Sequence, residues 1–354
     1  MTRRLGSARW GCSALPVAAA VILVLGGGIA ACGKKASEPS GPPPEISGLA
    51  AVPATAQVVI GVDVAKLLDS QVVDRAVDQL LLHNPVLSER WQHLRDDCKI
   101  DLGKQLKRVM LAIGPHSGPE PGTGPVIMVV VGSIQEAQLK DCVGKLVGGG
   151  GGTVTGKSVF GRTLYLAKDG NRTMYFAYGR PDTVVLGSDE AYVTEALGTG
   201  RKASEDPDLG KWLRLVNQNS PIWAAGRTDE RVRSGLVQLT EGKVGAGALA
   251  YTASADFTEG AKLELVVAMS RPEEAKNLES YVKGELALLT AAAQLKSLGP
   301  VVAKLTVSVE NELVRFRLPL TVDDLNLVLS ALDGGGSTAQ DSAPPAAGSG
   351  SGTK

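Results

Sequence analysis

The sequence has few aromatic residues, few histidines and no excess of charge of either sign. Phenylalanine, tryptophan and tyrosine together make up 4% of its 354 residues, and there are 3 histidines. Lysines plus arginines number 37, as do aspartates plus glutamates. Nucleic-acid binding depends on a basic surface, and the stacking of bases depends on exposed aromatic rings. The composition therefore argues against nucleic acid as a partner.

Side chains that could form a catalytic or metal site are also scarce. His83 and His93 lie in a stretch of helical spacing that Pro85 interrupts, and His116 lies in a segment rich in glycine and proline. None of the three has the neighbours of a metalloprotease motif or of a nucleophile elbow. We therefore predict no enzyme, no catalytic residue, no metal and no cofactor. A triad assembled only by folding is the alternative.

One segment, Gly151 to Ser158, matches the nucleotide-binding P-loop pattern letter for letter. In a P-loop, a strand precedes the glycines and a helix begins just after the lysine, so that backbone N–H groups point at phosphate. Here a helical pattern precedes the glycines, and Val159 to Leu166 has the pattern of a strand. We expect a flexible helix-to-strand connection at this segment and no nucleotide binding.

The chain opens with the pattern of an export signal. Arg3, Arg4 and Arg9 precede an apolar run from Ala14 to Cys32, and three consecutive glycines interrupt this run shortly before its end. A basic start, an apolar core and small residues at the end are typical of a secretory signal. The run is also close to the length that spans a bilayer, about 20 residues. An uncleaved membrane anchor is therefore the main alternative.

The residues Ile29-Ala30-Ala31-Cys32 resemble the lipobox of bacterial lipoproteins. The resemblance implies a signal peptide over residues 1–31 and fatty acyl groups, palmitate among them, on Cys32. Several acyl chains anchor a protein firmly, so the membrane becomes a partner through this lipid. Gly33, rather than an aspartate, follows the cysteine. The resemblance therefore favours the outer over the inner membrane of a bacterial cell envelope, with the body in the periplasm or at the cell surface.

Two other cysteines, Cys98 and Cys142, remain if Cys12 leaves with the leader and lipid occupies Cys32. Two thiols in an oxidising compartment are a natural disulfide pair. The alternative is a pair of buried free cysteines, since cysteine is among the most often buried residue types. Neither has a nearby histidine or second cysteine at the spacing of a metal site.

Both ends of the mature chain have the composition of unfolded peptide. Residues 32–46 and 334–354 are rich in glycine, serine, proline and alanine and have little apolar surface to bury. We expect a disordered tether and a disordered tail at these two segments. The chain between them divides into two α+β repeats, at residues 47–200 and 201–333.

The two repeats share a pattern of strand, serine, acidic residue and amphipathic helix. It reads VVVGS-IQEAQLKDCVGKL from Val129 and VVAMS-RPEEAKNLESYVKGEL from Val266. Ser133 and Ser270 each stand three residues before a glutamate, which is typical of a capping box. We predict an α+β fold built by tandem duplication of ferredoxin-like β-α-β-β-α-β units, with extra antiparallel strands and helices on one face. A single sheet shared by both halves is the alternative.

Together these features predict a non-enzymatic envelope lipoprotein that binds a partner protein or has a structural role. The body weakly resembles uncharacterised envelope proteins through Val52-Pro-Ala-Thr55, which precedes the first strand. The alternative function is that of a carrier or chaperone for lipid or another hydrophobic cargo. Its cavity would be formed by the strands from Ser158 to Leu186 and by the alanine-rich helix near Ala291. A hydrolase with a dispersed site is a third hypothesis.

Overall fold

In a computed structural model of the chain, the described residues form one antiparallel sheet of twelve strands. The structure describes residues 46–115, 124–242, 244, 247–294 and 298–334. The predicted signal peptide, nearly all of the predicted tether and nearly all of the predicted tail lie outside these residues. In chain order the strands are β1 (Val58–Asp63), β2 (Leu106–Ile113), β3 (Val126–Gly132), β4 (Thr153–Val159), β5 (Arg162–Asp169), β6 (Arg172–Arg180), β7 (Thr183–Gly187), β8 (Ile222–Arg227), β9 (Ala248–Asp256), β10 (Ala261–Met269), β11 (Thr306–Glu310) and β12 (Leu313–Leu320).

The helices lie between the strands and after the last one. In the described part of the chain they are α1 (Val64–Leu68), α2 (Gln71–His83), α3 (Pro85–Asp96), α4 (Leu102–Gln105), α5 (Glu136–Gly148), α6 (Glu190–Leu197), α7 (Leu209–Leu215), α8 (Glu230–Leu239), α9 (Pro272–Gln294), α10 (Gly299–Val302) and α11 (Val322–Gly334). None of these helices combines the length and the apolar character needed to cross a bilayer.

The two halves of the body meet at the middle of the sheet. The strand order is β11-β12-β10-β9-β8-β1-β2-β3-β7-β6-β5-β4, and every neighbouring pair is antiparallel. Strand β1 from the first half pairs with β8 from the second, with Val58 opposite Gly226 and Val62 opposite Ile222. The mixed α+β class is confirmed, and it takes the form of the alternative, a single sheet that both halves share.

The ferredoxin-like part of the prediction is not confirmed. In a β-α-β unit the helix carries the chain across to a parallel strand. Here the four helices between β1 and β2 return the chain to the adjacent strand in the antiparallel direction. Two of them, α1 and α4, pack against β2 itself. These four helices are therefore a long insertion between the antiparallel strands β1 and β2, and they do not form a crossover connection.

Helices cover both faces of the sheet, so the prediction of helices on one face is wrong. We define face A as the face that carries Val59, Ala112 and Ile127, and face B as the face that carries Val130 and Phe176. Helices α6 and α7 pack on face A, whereas α5, α9, α10 and α11 pack on face B. The reason is visible in central strands such as β3, in which successive residues on both faces are apolar.

The two predicted capping boxes differ from the structure. Helix α5 begins at Glu136 after Gln135, and Ser133 uses its backbone N–H to pair with the carbonyl of Gln105. The hydroxyl of Ser270 donates to Glu274, one residue beyond the predicted partner. Soon after the predicted boundary between the repeats, the structure contains α7, whose buried side chains include Leu209, Trp212 and Leu213. The sequence pattern did not predict α7, because this helix is too short to show an apolar period and is stabilised by packing rather than by helix propensity.

Helices α2 and α3 form an arm that is poorly covered. Neither helix has a buried residue, although α2 carries apolar residues at helical spacing. Their apolar side chains are half-buried or exposed, and Leu82 is 74% exposed. The arm is held where it starts: the hydroxyl of Ser70 donates to the carbonyl of Phe257 at 2.8 Å and accepts from the N–H of Val73 at 3.4 Å. We call residues 71–96 the α2–α3 arm.

The end of the arm is attached to α5 by a disulfide. Cys98 follows α3 and Cys142 lies in α5, and their sulfurs are bonded at 2.04 Å. The side chain of Gln138 also donates to the carbonyls of Cys98 and Lys99, at 3.3 and 2.9 Å. Both cysteines are buried beside Ile100 and Ile134. The pairing indicated by the cysteine count is thus present, and it fixes one end of an otherwise exposed arm.

Lys202 is a buried cation on the other side of the molecule. Its ammonium group donates to the carbonyl oxygens of Glu195, Ala196 and Gly198 at 3.3, 2.9 and 2.8 Å, at the C-terminal end of α6. The last turn of a helix leaves carbonyls without partners inside the helix, and a cation there complements the helix dipole. Burial lowers the pKa of Lys202 from its usual value. These bonds connect the chain beyond α6 to the core on face A.

Replacing Lys202 by methionine should lower the free energy of unfolding by about 2 kcal/mol, because charged hydrogen bonds are lost while the carbonyls stay in a buried site. Urea unfolding followed by circular dichroism measures the change. The matched control is Lys276→Met on the exposed side of α9, for which a change within about 0.5 kcal/mol is expected. Equal losses in the two variants would contradict the role given to Lys202.

Removing the disulfide should lower the free energy of unfolding by about 4 kcal/mol, because the bond closes a loop with a sequence separation of 44 residues. The measurement compares urea unfolding of the oxidised protein with that of the Cys98→Ala, Cys142→Ala double variant, each with and without reductant. Reductant should lower the urea midpoint of the protein with both cysteines and leave that of the double variant unchanged. If the double variant unfolds at the same urea concentration as the oxidised protein, the disulfide does not stabilise the fold.

Candidate hydrophobic groove

The two histidines in the described part of the chain, His83 and His93, lie on separate helices and make local contacts. His83 lies at the end of α2, with its Nδ1 2.8 Å from the carbonyl oxygen of Gln79. His93 lies on exposed α3, where a hydrogen bond with Asp97 raises the pKa of its imidazole. His116 and Cys32 lie outside the described residues. Within the described ranges, no three histidine, cysteine, aspartate or glutamate side chains are grouped as metal ligands.

The P-loop match does not have the geometry of a phosphate site. Gly151 lies in a turn after α5, and the matching residues from Thr153 to Ser158 belong to edge strand β4. The side chain of Lys157 pairs with Glu190 at the start of α6. The backbone N–H groups after the lysine therefore belong to a strand, and they do not form the first turn of a helix. The expected helix-to-strand connection is present, but β4 already begins at Thr153, and a turn at Phe160 and Gly161 divides the predicted strand Val159 to Leu166 between β4 and β5.

The structure instead shows an apolar groove in the second half of the sheet. The groove has a volume of about 490 Å³. The groove lies on face B, because the apolar side chains that line it alternate along each strand with residues that point to face A. Its lining residues come from β8, β9, β10, β12 and the residue before β11. On face B they are Ile222, Ala224, Ala253, Ala255, Leu263, Leu265, Leu305, Phe316 and Leu318; Trp223, Ser254 and Glu264, which alternate with them along the strands, also border the groove. We call this cavity the apolar groove.

The strand register explains why the groove has this composition. One cross-strand row consists of Leu318, Leu263, Ala255 and Ile222, and the next consists of Phe316, Leu265, Ala253 and Ala224. Residues directly opposite each other on one face of neighbouring strands are in contact. Alanines at the middle of the rows form the floor, and larger side chains on β10 and β12 form one wall. The groove is therefore a consequence of where small residues are placed.

The helices leave this part of face B open. Helix α9 packs on β10, β11 and β12, and α7 packs on β8 and β9 from face A. Leu265 consequently remains 38% exposed in the middle of the groove. On face A of the same strands, the carboxylate of Glu264 accepts hydrogen bonds from Arg315 and Arg317 at 2.7 and 3.0 Å. Burial raises the pKa of Glu264, but these two bonds outweigh it and hold the pKa below its usual value. The charged groups of these strands are thus directed away from the groove.

A second, polar cavity of about 210 Å³ lies next to the turn between β9 and β10. It is lined by the start of α2, by this turn and by the start of α11: Asp69, Ser70, Gln71, Val72, Arg75, Phe257, Thr258, Gly260, Val322, Leu325 and Asn326. The guanidinium group of Arg75 donates to the side-chain oxygen of Asn326 at 3.4 Å. We call this second space the polar cavity.

The groove lies in a different place from the cavity that the sequence suggested. The strands from Ser158 to Leu186 have their face B covered by α5, with Tyr165 stacked on Phe176 at a centroid distance of 4.8 Å. The signal for the groove was the alternation of apolar residues in β10 and β12, Leu263 with Leu265 and Phe316 with Leu318. That alternation predicts an apolar face, but it does not show whether a helix covers that face.

No protein-family model matches the chain, and no curated protein matches it. A solved structure described as "Structure of crystal form I of TP0453" is similar to this one with a TM-score of 0.41 and 11% sequence identity. The match covers 81% of this chain and 98% of that chain. A likeness of this size supports no conclusion about the function of the chain.

Proposed function

We propose that this protein is a lipid-anchored protein of the bacterial envelope that holds a hydrophobic cargo in the apolar groove and carries out no chemical reaction on it. The observation that supports the proposal is an open, apolar space on face B of a sheet, other parts of which are covered on this face by α5 and α9. The sequence favoured a protein-binding or structural role and kept cargo binding as the alternative. Because of the apolar groove, we now favour cargo binding over a protein-binding or structural role.

The size and lining of the groove favour a small apolar molecule over a partner protein. Its volume of about 490 Å³ falls within the range of small-molecule sites, about 300 to 1,000 Å³. A stable protein interface buries about 800 Å² on each partner and is surrounded by a polar rim that supplies hydrogen bonds. The side chains that line the groove on face B are apolar and offer no hydrogen-bonding groups. Apolar contact alone is a sufficient attraction for a hydrocarbon.

The envelope location in this proposal depends on the leader. Arg3, Arg4 and Arg9, the apolar run and Cys32 support export and lipid attachment. These residues lie outside the described part of the chain. Lipid on Cys32 would hold the groove close to a membrane, which is the natural source or destination of hydrophobic cargo. The proposal retains the outer membrane as the favoured one, because Gly33 follows the cysteine.

We also propose that the two halves arose by duplication. On each side of the β1–β8 pair, the third strand (β3 or β10) leads to a long helix on face B. A meander follows that helix, and its last strand (β7 or β12) pairs with that same third strand. The sequence similarity between the segments at Val129 and Val266 falls at these equivalent strands. The first half has a meander of four strands and the second a meander of two.

Leu265→Asn should weaken the binding of an apolar fluorescent probe, N-phenyl-1-naphthylamine, at least fivefold, because an amide in the groove loses hydrogen bonds to water when the probe covers it. The matched control is Leu249→Asn on β9, outside the groove, where the leucine is 46% exposed. Probe titration gives the affinities, and thermal melting checks that both variants fold. Equal affinities for the two variants and the unaltered protein would contradict cargo binding in this groove.

Cys32→Ser should abolish the incorporation of labelled palmitate and release the protein from the membrane fraction, because serine has no thiol to accept lipid. Cys12→Ser, within the leader, is the matched control and should leave labelling and fractionation unchanged. Labelling followed by fractionation of expressing cells measures both outcomes. Palmitate incorporation that persists in the Cys32→Ser variant would show that the anchor lies elsewhere.

A further inference from the structure

The α2–α3 arm carries an uncharged, apolar tip where its two helices meet. Residues 79–88 contain no lysine, arginine, aspartate or glutamate. Leu80, Leu82 and Val86 are 54%, 74% and 59% exposed, although each is a large apolar side chain. A cluster of exposed apolar side chains on a folded protein marks a site that contacts another surface. We call residues 79–88 the tip of the arm.

The backbone of the tip is also suited to apolar surroundings. Pro85 has no N–H group, and the side-chain oxygen of Asn84 accepts a hydrogen bond from the N–H of Leu87 at 3.0 Å. The carbonyl oxygen of Asn84 accepts another from the N–H of Ser88 at 3.0 Å. Unpaired N–H groups at the start of a helix are costly away from water. Most of the donors at the start of α3 are therefore already paired or absent.

The arm is attached to the body at both ends and not at the tip. It begins after Ser70, whose hydroxyl donates to the carbonyl of Phe257. Its other end is attached to α5 through Cys98 and Cys142. Helix α2 has 13 residues, and a helix of this length rises about 20 Å. The tip lies midway along the chain between the two attachments, so neither of them covers it.

The first described residues lie at the end of the sheet from which the arm leaves. The hydroxyl of Thr183 donates to that of Ser47 at 3.2 Å, close to where the described part of the chain begins. One cross-strand row at this end of the sheet consists of Thr183, Val131, Arg108 and Asp63. Helix α1, which leads into the arm, begins directly after Asp63. A tether that precedes the body therefore joins it at the same end as the arm.

We propose that the tip of the arm inserts into the surface of the lipid bilayer that holds the acyl groups of Cys32, so that the body contacts the membrane at a second point. This inference rests on the lipid anchor of the proposed function and adds a membrane-binding site made by the fold itself. Ile46 follows Cys32 by 14 residues. An extended chain spans at most about 3.6 Å per residue, so lipid on Cys32 keeps this end of the body within about 50 Å of the bilayer. The tether thus brings the end of the body that carries the arm to the membrane.

The charges of the arm match a lipid surface of no particular charge. Arg75 and Asp78 precede the tip, and Glu89 and Arg90 follow it. The whole arm has 3 arginines, no lysine and 4 acidic residues, whereas recognition of anionic lipid needs a cluster of basic residues. Apolar side chains gain free energy by leaving water for the interface of any bilayer. Binding should therefore depend on the apolar side chains of the tip and little on salt.

The test uses the complete mature lipoprotein in vesicles of phosphatidylcholine and phosphatidylethanolamine, which also contain a phospholipid with a photoactivatable diazirine in its acyl chain. Illumination attaches this lipid to protein segments within the bilayer, and mass spectrometry of the digested protein identifies them. The peptide that contains residues 79–88 should be labelled equally at low and high salt. Leu82→Asp should lower this labelling at least tenfold, because a carboxylate is costly in hydrocarbon. The matched control is Leu288→Asp on α9, where the leucine is 67% exposed, and it should leave the labelling of the tip unchanged.

The same digest separates this inference from the proposed function, because the mass of the N-terminal peptide shows whether Cys32 carries acyl groups. If Cys32 is acylated and the tip is not labelled, or if Leu82→Asp and Leu288→Asp label alike, the membrane contact of the arm is wrong while the anchor stands. If Cys32 has no acyl group and the tip is labelled, the arm binds the bilayer and the anchor is wrong. If Leu82→Asp converts a dimer into a monomer on size-exclusion chromatography and leaves the labelling unchanged, the tip binds a second copy of the chain and the proposal is wrong.

Discussion

The pairing of β1 with β8 is the constraint on which the rest of the structure depends. It converts two consecutive halves of the chain into one sheet, with Gly61 directly opposite Trp223. The absence of a side chain at Gly61 leaves room for the indole, since a Cβ there would lie 2.1 Å from the Trp223 ring. Trp223 in turn belongs to the core on face A together with Val59 and Ala225. Close packing at this one pair therefore joins the halves both through the backbone and through the core.

The groove follows from the same arrangement. Because the two halves share a sheet, the helices of each half cover the outer strands of face B. Helix α5 covers the strands around Val130 and Phe176, and α9 covers those around Val314. The strands β8 and β9 lie between these covered regions, and their face B residues include Ala224, Ala253 and Ala255. Small side chains and a missing helix together create a space that neither would create alone.

Much of the local structure could be predicted from the sequence, because it depends on residues close together in the chain. The strand at Val126–Gly132 and the hairpin partners at Thr306–Glu310 and Leu313–Leu320 have clear apolar alternation or runs, and the structure contains them. The strand order could not be predicted, because it depends on which distant edges pair. Strand β4 was obscured by its glycine and by its exposed, polar side chains. The groove could not be predicted either, since an apolar face in sequence looks the same whether a helix covers it or not.

The position of the central pair also determines when the sheet can be completed. Among the described residues β1 is the first strand, whereas β8, one of its two neighbours, follows seven other strands. Contacts between segments so distant form slowly, because the chain loses much entropy before they are made. Until β8 arrives, β1 exposes an unpaired edge rich in valine and isoleucine, which can pair with other chains. A newly made chain is therefore most open to misfolding and aggregation in the interval between the synthesis of these two strands.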